Sequence, residues 1–174
     1  MKKFGEILLI YLLVTTFASY SQKTLTAHVS NTDIIDTTFL KLEPEFKLEF
    51  VNGGFYPVKI ELLNNSDSSL YFWTTSCSWQ SNWVAEEKSI TLFVACLKNV
   101  PKLAHLEPHG SLIHYGIIHL LDTADLKRSK EYKLGFILVR KNEVKNESDF
   151  IPILWNKIKT KQDIYWSNSF KIDK

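Results

Sequence analysis

The chain has little glycine and little excess charge, and each shortage argues against a class of function. Only 6 glycines occur in 174 residues, and they form no glycine-rich loop of the kind that holds phosphate groups. Lysine and arginine number 21 against 19 aspartates and glutamates, so the chain lacks the basic excess needed to bind nucleic acid or anionic membranes. We therefore expect neither as a partner.

The chain also lacks a hydrophobic run long enough for a transmembrane helix, which needs about 20 apolar residues. Its apolar run, residues 7–17, is about half that length. Lys2 and Lys3 precede the run, and the small residues Ser19 and Ser21 follow it, which is typical of a secretory signal. We predict a signal peptide at 1–21 and export to the periplasm or the medium. No cysteine follows the run to accept a lipid, so we expect no stable membrane anchor after cleavage.

Cysteine is scarce: the chain has 2, Cys77 and Cys96. In an oxidising compartment two such thiols most simply pair, and two buried free thiols are the alternative. A bond that closes a loop of about twenty residues would stabilise the fold by about 3 kcal/mol in the loop-entropy account. The sequence therefore predicts a disulfide between these two cysteines.

Period-two alternation dominates the rest of the chain and is typical of half-buried strands. It occurs at 58–62, 70–73 and 132–139, among other runs, and residues 112–121 form a strongly apolar, β-prone run. The polar turn at 64–69 between the first two runs predicts that they form a hairpin. Residues 22–44 show few periodic signals and are predicted to be a partly ordered arm with one edge strand, whereas 45–174 form a single domain.

The strand count and spacing predict an all-β fold, an immunoglobulin-like antiparallel β-sandwich of about seven strands. One segment, 149–159, has a different pattern: Phe150, Leu154 and Ile158 recur at four-residue spacing, and Asp149 precedes them as a cap. A short helix is therefore predicted there, inserted between the last two strands.

Four of the 5 histidines fall close together and are the first candidates for a metal site: His105, His109, His114 and His119. Zinc requires three or four ligands that converge on one point. On a strand, His114 and His119 would face opposite sides, and the Pro108 turn separates the other two. We therefore expect no metal and no cofactor.

Catalytic motifs are also missing from the sequence. No Gly-x-Ser-x-Gly elbow occurs, and no serine or cysteine is marked as a nucleophile by a recognisable base and orienting group. We predict that the protein is not an enzyme.

A group of tryptophans around Cys77 is the strongest lead to function: Trp73, Trp79 and Trp83. Aromatic side chains on a loop fixed by a disulfide would form a rigid contact surface for a protein, peptide or saccharide. The alternative is that these rings cover the open end of the sandwich core.

Three short segments carry a resemblance to a known group. They are Ser76 to Trp79, then Cys96, Asn99 and Pro101, then Tyr165 to Asn168. With these, the chain resembles small exported β-sandwich proteins of Bacteroidota over about residues 45 to 172. The resemblance implies a bacterial envelope or extracellular protein and brings no activity with it.

The sequence thus favours an exported, non-enzymatic binding module. One alternative is an immunoglobulin-like proteinase inhibitor, which the chain resembles through sandwich topology alone. The other is a metal-dependent enzyme that uses the region from His105 to His119.

Overall fold

The computed structural model describes residues 24–34, 54–93, 99–121 and 130–172. The predicted signal at 1–21, most of the predicted arm, a predicted strand near 46–51 and Cys96 lie outside these ranges. Cys77 is not a free cysteine. Because Cys96 lies outside the described residues, its pairing with Cys77 stays a prediction.

The described part is all-β and antiparallel, with one α-helix, as the alternation predicted. Its strands are β1 (Leu25–Asn31), β2 (Phe55–Asn64), β3 (Leu70–Thr75), β4 (Trp83–Ala85), β5 (Ile90–Phe93), β6 (Pro101–Leu106), β7 (Ser111–Leu120), β8 (Glu131–Tyr132), β9 (Leu134–Ile137), β10 (Ile164–Trp166) and β11 (Phe170–Lys171). This exceeds the seven strands expected, partly because the runs at 132–139 and 164–172 are each divided in two. The architecture is consistent with a β-sandwich, and its immunoglobulin-like type stays a prediction.

The first layer is a four-stranded sheet in the order β1-β2-β7-β5. β2 alternates buried and partly exposed residues along most of its length, so one face turns to the core. β1 lies in the segment predicted to be a partly ordered arm. Its Leu25, Ala27 and Val29 are buried in the main core.

The second layer is built from shorter groups, namely β10-β9-β4, β11-β8 and β3-β6. The backbone N–H of Trp73 on β3 donates to the Val139 carbonyl at 2.8 Å, which joins β3 to the chain just after β9. A parallel bridge from Ala27 to Ser167 links the edge of the first sheet to the end of the second.

The predicted hairpin between the runs at 58–62 and 70–73 is wrong. β2 pairs with β1 on one edge and β7 on the other, so neither edge is free for β3, which pairs with β6 instead. The chain crosses between layers after the fully buried Asn64. Its side-chain Nδ2 donates to the Ser68 carbonyl at 2.8 Å and to the Glu107 carbonyl at 3.0 Å, which fixes the crossing.

The predicted helix is confirmed as α1 (Phe150–Thr160), but Asp149 does not cap it with its side chain, since that carboxylate accepts from the Asn146 N–H instead. Phe150 and Leu154 pack with Ile137, Val139 and Val144 in a second hydrophobic cluster, on the outer face of β9. This explains why all four residues of β9 are buried, since the main core covers one face of the strand and α1 covers the other.

Gly135 on β9 lies where β10 approaches most closely. A Cβ atom at this position would lie 2.5 Å from Ile164 Cγ2 and 2.9 Å from the ring of Trp166. Only glycine fits there without a shift of β10.

No helix within the described residues is long and apolar enough to cross a membrane.

Candidate ligand cavity

A cavity of about 380 Å³ opens between the two layers. Residues of β2, β3, β4, β6, β7 and β9 line it, together with the short 3-10 helix Trp79–Asn82 that follows β3. Its deep side chains, Leu62, Phe72, Trp83 and Phe136, are at most 8% exposed. Its volume and its largely apolar wall are typical of small-molecule sites.

Trp79 and His114 form one wall of the cavity. Their rings stack with centroids 4.2 Å apart and planes within 9°. Gly116, two residues after His114 on β7, gives the indole room, since a Cβ there would lie 3.2 Å from Trp79 Cη2. Burial lowers the pKa of His114 to about 4, so its imidazole is uncharged at neutral pH.

Polar groups gather at the other side of the cavity, on β3 and β6. Thr74, Thr75 and Ser76 lie on its wall, and Lys102 is exposed at its edge. Thr75 is only 3% exposed, yet its hydroxyl Oγ1 has no hydrogen-bond partner. Thr75 follows Thr74 on β3 and so faces the opposite side of the strand, which leaves Thr74 as the hydroxyl that shares a face with Lys102.

The structure divides the three predicted tryptophans. Trp79 and Trp83 both line the cavity, and Trp83 is buried against Phe136 with ring centroids 5.2 Å apart. Trp73 lies elsewhere and packs on the second cluster, 6.4 Å from Phe150 between ring centroids. Two of the three therefore share a concave site, whereas the third covers the core under α1.

The four clustered histidines are spread over separate environments. His105 stacks on Tyr71, and His109 contacts Asp67 at 2.9 Å in an exposed turn. His119 stacks on Phe55, five residues along β7 from His114 and therefore on the opposite face. Among the described residues no three histidine, cysteine, aspartate or glutamate side chains come together as a metal site.

The sequence did not reveal Thr74 and Lys102 as site residues. Lys102 is directly opposite Thr74 in the β3–β6 ladder, on the face shared with Phe72 and Ala104. The available signal is the two-residue spacing of Lys102, Ala104 and Leu106, which places the lysine on the apolar face. It can be used only once β6 is recognised as a strand.

Comparisons with known proteins give little further information. No family model matches the chain, and no curated protein matches it. Among solved structures it is similar to a FixG-related protein from Vibrio parahaemolyticus, with 7% sequence identity and a TM-score of 0.39. That match covers 87% of this chain and 97% of the other, and at this level of similarity it carries no argument about function.

Proposed function

We propose that the protein is an exported, non-enzymatic binding module whose ligand places a flat apolar group in the interlayer cavity. The observation that carries the proposal is the cavity itself, where the rings of Trp79, His114 and Trp83 meet between the two layers. Ring walls of this kind hold planar groups through stacking and burial. The ligand is a small molecule or one planar group of a peptide or saccharide.

The polar groups on the wall support binding more than catalysis. The Ser76 hydroxyl accepts a hydrogen bond from the Val100 N–H at 3.2 Å and so holds the neighbouring backbone in place. His114 stacks on an indole. Export is supported by the N-terminal charge and hydropathy pattern.

Titration with phenylnaphthylamine, a neutral dye that fluoresces in apolar sites, tests the proposal. Wild-type protein should give a saturable signal. Ala104→Phe places a ring in the cavity from the inner face of β6, so it should weaken dye binding at least about tenfold. Leu121→Phe adds a ring at a position that is 58% exposed and outside the cavity lining, and should bind dye as the wild type does.

Thermal melting of each variant shows whether it is folded, and Ala104→Leu is the milder substitute if Ala104→Phe is not. Dye binding that is equal in the wild type, in the folded Ala104 variant and in Leu121→Phe would overturn the cavity as the ligand site.

A further inference from the structure

Lys102 occupies an unusual position for a charged side chain, because it lies on the inner face of an apolar strand pair. Its direct partner across the β3–β6 ladder is Thr74, which is 9% exposed. The next pair on the same face, Phe72 and Ala104, belongs to or packs on the main core. Directly opposite residues share a face, so Lys102 continues an inward-facing row to the cavity mouth.

Apart from histidine, Lys102 is the one ionisable side chain among the described cavity-lining residues. Within the part of the chain that the structure describes, ion pairs are found at other lysines, such as Lys59, Lys130 and Lys157, and none at Lys102. Its positive charge is therefore left uncompensated beside an apolar cavity, where Coulomb attraction to an anion is stronger than in open water.

A threonine hydroxyl lies beside this charge on the same wall of the cavity. Thr74 lies directly opposite Lys102, is 9% exposed and lines the cavity. A hydroxyl donates readily to an oxyanion, and hydrogen bonds to charged acceptors are stronger than those to neutral ones. The ammonium of Lys102 and the hydroxyl of Thr74 are thus two donors at the edge of a ring-walled cavity.

We propose that the ligand of this cavity carries one negatively charged oxyanion beside its flat apolar part, with Lys102 as counter-charge and Thr74 as hydrogen-bond donor. The inference rests on the proposed binding function and specifies its ligand class. A small aromatic or otherwise planar carboxylate has this chemistry, with its ring between Trp79 and Trp83 and its carboxylate at the mouth.

Two dyes with the same rings test the charge separately from the cavity. Anilinonaphthalene sulfonate carries one sulfonate, and phenylnaphthylamine carries none. The quantity to measure is the ratio of their dissociation constants, neutral dye over anionic dye. Lys102→Gln should lower this ratio about fivefold, as expected for loss of one partly exposed ion pair. Lys102→Arg should keep the ratio, and added salt should lower it in wild type more than in Lys102→Gln.

Lys159→Gln is the matched control, since it removes the same charge from an exposed position on α1 away from the cavity. It should leave the ratio unchanged. Thr74→Val, of nearly the same shape, should weaken the anionic dye more than the neutral one.

The outcomes separate this inference from the proposed function. A ratio that is unchanged in Lys102→Gln, while Ala104→Phe still blocks the neutral dye, overturns the oxyanion and leaves the cavity as a binding site. It would make Lys102 a charge that only protects an edge strand from pairing. If Ala104→Phe blocks neither dye, the proposed function fails and this inference fails with it.

Discussion

The Nζ of Lys157 lies 2.6 Å from Oδ2 of Asp163, across the left-handed turn that ends α1. The same nitrogen donates to the Leu138 carbonyl at 2.8 Å and lies 2.7 Å from Glu143 Oε1. Partial burial by itself raises the Asp163 pKa, but hydrogen bonds from Lys157 and Arg140 outweigh it and hold that pKa below its ordinary value. This one ammonium therefore ties the helix end to the chain after β9.

Replacing Lys157 should make the protein less stable to unfolding, because the contacts at this junction are lost. Lys157→Met keeps most of the apolar stem, yet it leaves the buried Leu138 carbonyl without its donor, Glu143 without its cation and Asp163 with Arg140 alone. We expect a loss of about 2 kcal/mol in the free energy of unfolding, measured by urea denaturation, because both carboxylates are partly solvated.

Lys159→Met, two residues along α1 at an exposed position, is the control and should change stability by less than about 0.5 kcal/mol. Equal effects of the two variants would show that the ion cluster around Lys157 adds no stability.

The stacked imidazole of His114 should make stability depend on pH. The pKa of His114 is about 4 in the folded chain against 6.5 for an unperturbed histidine, so between these values the unfolded chain binds the extra proton. The contribution of neutral His114 to the free energy of unfolding is fully present above pH 6.5 and is lost as the pH is lowered towards 4. The full effect is as much as about 3 kcal/mol.

His114→Phe keeps a ring against Trp79 and removes the titration, so it isolates this effect from that of the carboxylates. Urea denaturation from pH 7 to pH 4 should show the variant gaining stability relative to wild type as the pH falls. A constant difference between the two proteins across that range would contradict the burial of a neutral His114.

The two cavity tryptophans should differ in how much they contribute to the free energy of unfolding. Trp83 is 8% exposed and packs edge-on against Phe136, so Trp83→Ala should cost about 3 to 5 kcal/mol in free energy of unfolding. Trp79 is only partly buried and stacks on His114, so Trp79→Ala should cost about 1 to 2 kcal/mol.

Dye binding is the second measurement on these two tryptophans. Trp79→Ala removes a cavity wall from a protein that stays folded, so it should weaken phenylnaphthylamine binding at temperatures well below its melting point. If Trp79→Ala bound the dye as tightly as the wild type, the ring wall would not contribute to the site.

Gly135 should tolerate no side chain. Gly135→Ala forces its Cβ against Ile164 and Trp166, and moving β10 aside should cost about 1 to 3 kcal/mol by thermal or urea unfolding. Gly116→Ala is the comparison, since its new methyl would meet the flexible end of Leu92 at 3.0 Å and the ring of Trp79 at 3.2 Å. It should cost less stability than Gly135→Ala and, by displacing Trp79, weaken dye binding.

Local patterns predicted the elements of this fold better than their partners. Alternation identified β2, the apolar and β-prone run at 112–121 identified β7, and the four-residue spacing of Phe150, Leu154 and Ile158 identified α1. The β2–β3 hairpin was wrong because alternation shows which face of a strand is buried and says nothing about which edge is occupied. β1 and β7 fill both edges of β2.

The cavity was beyond sequence-based prediction for the same reason. Trp79 and His114 meet only because β7 and the short helix after β3 come together from opposite layers. Lys102 faces inward only because β6 pairs with β3 in the observed register. Residues distant in the chain create the site, so neither spacing nor composition points to it.

The contact between Asn168 and Val29 has a consequence for the order of folding. Asn168 Oδ1 accepts from the Val29 N–H at 2.8 Å, and its Nδ2 donates to the Val29 carbonyl at 3.0 Å, across a separation of 139 residues. Contacts this distant form late, because the chain entropy lost in closing so large a loop must first be offset. β1 can therefore be locked into the sandwich only after Asn168 has been synthesised, and until then the nascent chain remains incompletely folded.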